Sequence, residues 1–222
     1  MREINELNQS KYCYKGTDVL INNRNIMDQD ELRKQEITIT TYKLSKLYLG
    51  EKPFKKTYDL NHYLNIHKYL FEDIYPFAGC LRDENISKSN EPYMPGKMPF
   101  CQVPFILEML KSTLMDMRNN VVKIKKREDI ISFISHYCLE LNVIHPFREG
   151  NGRTQREYFR EYMEIINKVL NTDYEINYDL DENSKKELQR AMILDNEEET
   201  KKIFDKMVQE KTIIKENNNL KK

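Results

Sequence analysis

The chain has 222 residues, of which 36 are lysine or arginine and 36 are aspartate or glutamate, so its formal net charge is zero. A neutral chain lacks the positive field of a dedicated nucleic-acid-binding protein, and no nucleic-acid partner is expected. The six glycines and seven prolines are about half the usual share of roughly 12%, which argues against an all-β fold and favours helices.

The sequence shows no membrane segment and no secretory signal. No stretch approaches the roughly 18 consecutive apolar residues of a membrane span, and the N-terminal MREINELNQSKY is polar. Without a CxxC pair, the four cysteines are expected to be reduced and mostly buried. They are Cys13, Cys80, Cys101 and Cys138. A cytoplasmic protein with no membrane partner is expected.

Two helices are predicted in the first third of the chain. Residues 28–50 carry apolar residues at helical intervals, with Asp28 or Asp30 as the N-cap. Residues 59–74 repeat the pattern. His67 falls on the apolar face of this second helix, which favours a core histidine over a metal ligand.

An irregular segment then interrupts the helices between residues 75 and 101. It contains four of the seven prolines and two of the six glycines. A long loop or a small hairpin is expected, and such loops are usually functional because packing does not require them. Helical patterns resume over residues 102–117, 127–143, 149–170 and 184–194.

The last segment, residues 196–217, is predicted to be an amphipathic helix that needs a surface to lie on. Its apolar side is formed by Ile203, Phe204, Met207, Val208 and Ile214. The predicted organisation is a helical lead-in over residues 1–55, a core domain over 56–195 and a C-terminal helix over 196–222.

Twelve consecutive residues, HPFREGNGRTQR from His145 to Arg156, stand apart from these patterns. A helix ends before Pro146, and the next helix begins around Asn151. The two intervening glycines let backbone amides approach a ligand, and amides at a helix N-terminus attract anions. Arg153 lies three residues before Arg156, so both reach the same anion. This arrangement indicates an oligophosphate site.

Two further side chains of this segment indicate phosphoryl-type transfer. Glu149 would repel phosphates unless a cation lay between them, and a Mg²⁺ bridge is the economical interpretation. His145 lies just upstream, and an imidazole pKa near 6.5 suits it to take a proton at neutral pH. A base, a metal carboxylate and an anion hole together point to transfer onto a hydroxyl group.

HPFREGNGRTQR resembles the signature of the Fic family, HPFx[D/E]GNGRxxR, at every specified position. YPFAGCLRDENISK resembles the family's segment ahead of its flap, and YCYKGTDVLINN resembles the lead-in of bacterial members. The resemblance implies an all-α Fic fold, with central helices around the motif and a small β-hairpin flap. It also implies protein adenylylation, in which AMP moves from ATP-Mg²⁺ to a Ser, Thr or Tyr hydroxyl and pyrophosphate leaves.

The resemblance implies a role for each motif residue. His145 is the base that deprotonates the target hydroxyl, Phe147 anchors the loop in the core, and Glu149 holds Mg²⁺ against the α- and β-phosphates. The anion hole is formed by Gly150, Asn151 and Gly152. The outer phosphates are held by Arg153 and Arg156.

By the same resemblance, the region around residues 86–101 is a flap that aligns an extended target segment by strand addition. The prolines from Pro92 to Pro99 remove backbone donors there. The pairing edge of the flap therefore stays open.

Fic proteins are often autoinhibited by a helix that carries [S/T]xxxE[G/N]. The C-terminal TIIKEN matches, with Thr212 and Glu216 on one helix face. The resemblance implies that Glu216 pairs with Arg156 and withholds this arginine from the γ-phosphate. In related proteins the same glutamate also promotes removal of AMP, so the reverse reaction stays open.

Other functions stay open as well. The chain could transfer another group, such as UMP, phosphocholine or phosphate, although phosphate-transferring relatives carry a lysine in place of Gly152. A degenerate domain that binds nucleotide or protein without turnover is the rival from another class, against which the intact His145, Glu149 and both arginines argue. The target protein is open, the fourteen tyrosines offer acceptors for self-modification, and free helix faces could pair in a homo-oligomer.

Overall fold

Helices dominate the part of the chain that the computed structural model describes, which comprises residues 10–89, 93 and 95–211. Within it lie seven α-helices, six of which begin and end near their predicted bounds. They are α1 (Gln29–Tyr48), α2 (Leu60–Phe71), α3 (Val103–Asn120), α4 (Arg127–Ile144), α5 (Asn151–Leu170), α6 (Glu182–Ile193) and α7 (Glu197–Met207).

Side-chain caps fix the starts of the first two helices. The Asp28 carboxylate accepts a hydrogen bond from the N–H of Glu31 at 2.8 Å, and the Asp59 carboxylate accepts one from the N–H of His62 at 3.1 Å. Each cap satisfies an N–H group that has no partner inside its helix. The predicted cap at Asp28 is therefore confirmed.

Four short strands form two antiparallel pairs in the described ranges. β1 (Ser87–Ser89) and β2 (Lys97–Pro99) make a hairpin inside the predicted irregular segment, which confirms a small hairpin there. This hairpin is called the flap below. β3 (Tyr174–Ile176) pairs with β4 (Val208–Glu210), and this second pair was not predicted.

The prediction of one C-terminal helix is wrong over Val208–Glu210, and its part beyond residue 211 lies outside the described residues. The helix ends at Met207, and residues 208–210 form β4. In β4 the main-chain groups bond those of β3 in place of helical partners. The ladder continues with a bond from the N–H of Lys211 to the carbonyl of Asp173 at 2.9 Å. Val208 is buried in the strand, so its apolar character fits both the helical pattern and this pairing.

The hydrophobic core lies where α2, α4 and α5 meet. Its largest members are aromatic and almost wholly inaccessible, and they include Tyr63, Phe71, Phe147, Tyr158 and Tyr162. Burial of one side chain of phenylalanine size contributes about 1.5–3 kcal/mol. Ten of the eighteen residues of α4 are buried, which confirms a central helix, and α7 rests its apolar side on α4 and α6.

The four cysteines are free. Cys101 and Cys138 are buried, whereas Cys80 is exposed. Among the helices described, none has both the length and the apolar character required to span a bilayer.

Candidate active site

The loop between α4 and α5 carries the motif and passes twice through left-handed backbone conformations. His145 ends α4 with φ 45° and ψ 61°, and Gly150 precedes α5 with φ 82° and ψ 5°. A Cβ atom at Gly150 would lie 2.3 Å from Cζ of the buried Phe71. Both the dihedral angle and the space therefore require glycine at this position.

Asn151 closes the loop with its side chain. Its Oδ1 accepts a hydrogen bond from the N–H of Phe147 at 2.9 Å, and its Nδ2 donates one to the carbonyl of Phe147 at 2.8 Å. Phe147 is completely buried, as an anchor must be. One of the two N–H donors of Nδ2 is used in this way, so the second donor and the main-chain N–H of Asn151 remain for an anion.

His67 supports the same loop from α2. The ring stacks on Phe147 with centroids 3.7 Å apart. Its Nδ1 accepts from the N–H of Gly79 at 2.7 Å, so Nε2 carries the proton and donates to the carbonyl of Glu149 at 3.0 Å. Burial lowers the pKa of His67 to about 4. The prediction of a core histidine is confirmed, whereas its bond to the motif loop was missed.

The imidazole of His145 is held in one orientation. Nδ1 donates to the carbonyl of Asn142 at 3.3 Å, which leaves Nε2 as the proton acceptor. The ring stacks on Phe100, just after β2, with centroids 3.7 Å apart. Burial first, and then the positive charges of Lys88 and Arg82, lower the pKa of His145 to about 4. The ring is therefore neutral at pH 7 and can accept a proton.

Glu149 is half-buried beside the start of α5. Its Oε1 accepts from the N–H of Gly150 at 2.8 Å and lies 3.5 Å from Nη2 of Arg153. The N–H of Gly150, which was predicted to line the anion hole, is therefore bonded to Glu149. The N–H groups of Asn151 and Gly152 belong to the first turn of α5, where no carbonyl of the helix reaches them.

Arg153 is fixed by groups from two other helices. Its Nη2 forms an ion pair with Oε1 of Glu36 at 2.5 Å, and its Nη1 donates to Oγ1 of Thr40 at 3.3 Å. The guanidinium also lies 4.8 Å above the ring of Phe71. Glu36 is itself buried and accepts a hydrogen bond from the hydroxyl of Tyr75. No pattern in the sequence indicated this partner on α1.

Arg156 differs from Arg153 because it is exposed. Within the described ranges it makes no hydrogen bond or ion pair with a side chain. Its predicted partner Glu216 and the accompanying Thr212 lie outside the described residues.

Two cavities meet at His145. One, of about 470 Å³, is lined by Arg156, Tyr178, Gln189 and apolar residues of α6. The other, of about 810 Å³, lies between the flap and the motif loop and is lined by Lys97, Phe100 and Glu149, among others. The walls of both include His145, Asn151 and Gly152, together with Lys88. The base therefore stands between a pocket on the α6 side and a groove on the flap side.

A third cavity of about 540 Å³ lies on the α1 side of the motif. Glu149, Arg153 and Arg156 line it together with Arg33 and Glu36 of α1. The structure thus brings the seven motif residues that were predicted to act on the nucleotide, the metal or the target hydroxyl to the walls of three cavities that share lining residues.

Comparison with known proteins adds independent findings. The sequence model of the Fic/DOC family matches residues 57–163. The chain is 31% identical over 152 residues to the "Probable protein adenylyltransferase Fic" of Escherichia coli, covering 68% of this chain and 70% of that protein. It is 32% identical over 146 residues to another probable protein adenylyltransferase, from Sinorhizobium fredii, covering 64% and 69%.

Solved structures show the same fold. The BepC protein of Bartonella tribocorum with bound AMPPNP aligns with a TM-score of 0.73 at 20% identity, over 90% of this chain and 97% of that one. An N-terminal Fic domain from Bartonella quintana with bound ADP aligns with a TM-score of 0.75 at 21% identity, over 90% and 95%.

Proposed function

The chain belongs to the Fic/DOC family, and on this premise we propose that it is a protein adenylyltransferase. It transfers AMP from ATP to a Ser, Thr or Tyr hydroxyl of a target protein and releases pyrophosphate. The observation that carries the proposal is the position of His145 between a pocket lined by Arg156 and the start of α5, which suits a nucleotide, and a groove beside the flap, which suits a polypeptide.

His145 acts as the general base. Its Nε2 takes the proton of the target hydroxyl, and the hydroxyl oxygen forms a bond to the α-phosphorus. The bond from that phosphorus to the oxygen that bridges to the β-phosphate breaks, and pyrophosphate leaves. The lowered pKa of His145, about 4, keeps the ring unprotonated at neutral pH, so the lone pair of Nε2 is available.

The phosphates lie at the start of α5. The free N–H groups of Asn151 and Gly152 and the positive end of the helix favour negative charge there. The guanidinium of Arg156, for which the described residues provide no ion-pair partner, binds an outer phosphate. Arg153 keeps its pair with Glu36 and offers its remaining N–H groups, so its position is set before the nucleotide arrives.

Glu149 is the residue that would hold Mg²⁺. In the described ranges no cluster of three or more His, Cys, Asp or Glu side chains is available for a metal ion. A single carboxylate suits an ion that takes its other ligands from phosphate oxygens and water. Oε2 of Glu149 has no hydrogen-bond partner among the residues described, so the donor set fits. The bound ion would neutralise phosphate charge.

The target segment pairs with the outer edge of β1. The N–H of Phe100 bonds the carbonyl of Ile86 at 3.3 Å. Hydrogen-bonded and non-bonded pairs alternate along antiparallel strands, so the main-chain groups of Ser87 turn away from β2. Ser87 lies opposite Pro99, which has no N–H to offer on the other edge. β1 is therefore the better edge for strand addition.

Labelled nucleotide tests the transferred group. The chain is incubated with Mg²⁺ and ATP labelled at the α-phosphate, with the chain itself and a bacterial lysate as acceptors, and the products are identified by mass spectrometry. We expect an AMP adduct that the His145→Ala variant does not form although it still binds ATP. In a parallel reaction with ATP labelled at the γ-phosphate, transfer of the label to protein would instead indicate phosphate transfer. ATP binding with no adduct, also in Glu216→Gly, would indicate a degenerate module.

We also propose that Glu216 inhibits the enzyme by pairing with Arg156. Arg156 has no hydrogen bond or ion pair with a side chain among the described residues, which supports this proposal. A charge-assisted contact of about 1.5–3 kcal/mol would reduce ATP binding roughly tenfold to a hundredfold. Glu216→Gly should raise AMP labelling by that factor. Unchanged labelling would refute the proposal.

The path of β4 determines how this pairing is tested. Lys211 is bonded to Asp173, beyond the end of α5, so a glutamate that reaches Arg156 has to return by about 21 Å along that helix. Five extended residues span roughly 17 Å, and the two side chains must cover the rest. Inhibition that weakens on dilution would mean that a second copy supplies Glu216.

A further inference from the structure

The C-terminal end of α4 has its carbonyl groups satisfied from outside the helix. Six consecutive carbonyl oxygens, those of residues 141–146, each accept a hydrogen bond. The first two bond the N–H and Nδ1 of His145, and the third bonds the N–H of Cys101. The last three all bond Arg82, through Nη2 at 3.4 Å, Nε at 2.8 Å and the main-chain N–H at 2.9 Å. One residue thus holds the backbone of His145 and both its neighbours.

The same guanidinium also binds the two ends of the flap. Nη1 donates to the carbonyl of Glu84 at 2.7 Å, before β1, and Nη2 donates to the carbonyl of Cys101, after β2. Arg82 is 2% exposed, and no carboxylate pairs with it in the part of the chain described. The negative end of the α4 dipole and the carbonyl oxygens are its counter-charge.

A second contact joins the flap to His145. The ring of Phe100 stacks on the imidazole, and the N–H of Phe100 bonds Ile86 at the start of the flap. The flap therefore holds the ring of His145 directly through Phe100 and holds its backbone through Arg82. Neither Phe100 nor Arg82 belongs to the motif.

We propose that Arg82 is a positioning residue that couples the flap to the base, so that the strand that aligns the target and the imidazole that deprotonates it keep one fixed separation. This inference rests on the proposed function. Its physical basis is the planar fork of arginine, which bonds several carbonyl oxygens at once, whereas lysine offers a single point of attachment.

The first test separates positioning from nucleotide binding. In Arg82→Lys the rate of AMP transfer to the chain itself should fall about a hundredfold, since a misplacement of about 1 Å costs that much. The Kd for ATP should change less than about twofold, because Arg82 does not line the 470 Å³ pocket. A variant that transfers AMP at the rate of the unmodified chain would overturn the proposal.

Arg127 provides the matched control at the other end of α4. Its guanidinium likewise bonds a main-chain carbonyl, that of Val208 at 2.8 Å, and it pairs with Asp205 at 2.5 Å. Among the residues described, it forms no hydrogen bond or ion pair with the flap or the motif loop. Arg127→Lys should leave both the transfer rate and the Kd within about twofold. An equal loss of rate in both variants would reduce the role of Arg82 to general stability.

Hydrogen exchange tests the coupling without any catalysis and without a variant. The N–H groups of Arg82, Phe100, Cys101 and His145 should open together, with one common free energy in native-state exchange. Separate opening of the flap and the motif loop would overturn the proposal even if Arg82→Lys failed to fold. Common opening in a chain that transfers no AMP would leave the coupling intact and refute the proposed function alone.

Discussion

Substitution of Gly150 by alanine should destabilise the protein more than a glycine-to-alanine change that causes backbone strain but no steric clash. The left-handed conformation, φ 82°, costs an L-residue about 1–2 kcal/mol. The new Cβ would also lie 2.3 Å from the ring of Phe71, and displacing a fully buried ring costs about 1–3 kcal/mol more. The free energy of unfolding should therefore fall by about 2–5 kcal/mol, the sum of these two costs.

Gly50 separates the two contributions. It has φ 90°, and a Cβ added there would meet no atom within 4 Å, so Gly50→Ala should cost only the strain, about 1–2 kcal/mol. Urea unfolding of the two variants measures the difference. Equal losses would refute the close approach of Phe71. The guanidinium of Arg153 packs on the same ring, so displacement of the ring should also displace this phosphate-binding arginine. Only Gly150→Ala should therefore weaken ATP binding.

Three further predictions concern buried ionisable side chains. Glu36→Ala leaves the largely buried guanidinium of Arg153 without its ion-pair partner on α1 and should lower the free energy of unfolding by about 3 kcal/mol, measured with urea; a loss below about 1 kcal/mol would contradict this pairing. The acid limb of kcat/KM should follow the pKa of His145, about 4, and a limb near 6.5 would contradict its desolvation. His67 binds a proton when unfolded near pH 6.5 but when folded only near 4, so stability should fall as pH drops through this window, by up to ~3 kcal/mol. The His67→Gln variant should lose this share in pH-dependent thermal unfolding and keep the similar contribution of His145, whose pKa is also lowered to about 4.

The helices and the motif could be predicted because their signals are local. Asp28 caps the helix by bonding an N–H group only three residues away, and the sequence from His145 to Arg156 is one unbroken segment. The prediction of a C-terminal helix through Val208 was wrong because a three-residue strand is too short to show an alternating pattern. Its apolar residue matched the stripe of the preceding helix equally well.

The residues that hold the site in place could not be predicted from spacing. Glu36 lies 117 positions from Arg153, and His67 lies 82 positions from Glu149. Arg82 lies 63 positions from His145. Each is an ordinary residue type in its own segment. Only the packing of α1 and α2 beside α5, and of the segment before the flap against the end of α4, brings it to its partner. A sequence pattern shows neither that these residues are close in space nor which donor bonds each carbonyl group at the end of α4.

The way α4 ends has a practical consequence for protein engineering. A graft of residues 145–156 onto another helix pair would carry the base and the phosphate contacts, but it would leave three carbonyl oxygens without the donors that Arg82 supplies. The transplanted loop would relax, and the imidazole with it. The smallest transferable unit is therefore discontinuous: it must include residue 82, residues 100–101 and the supporting face of α2 along with the motif itself.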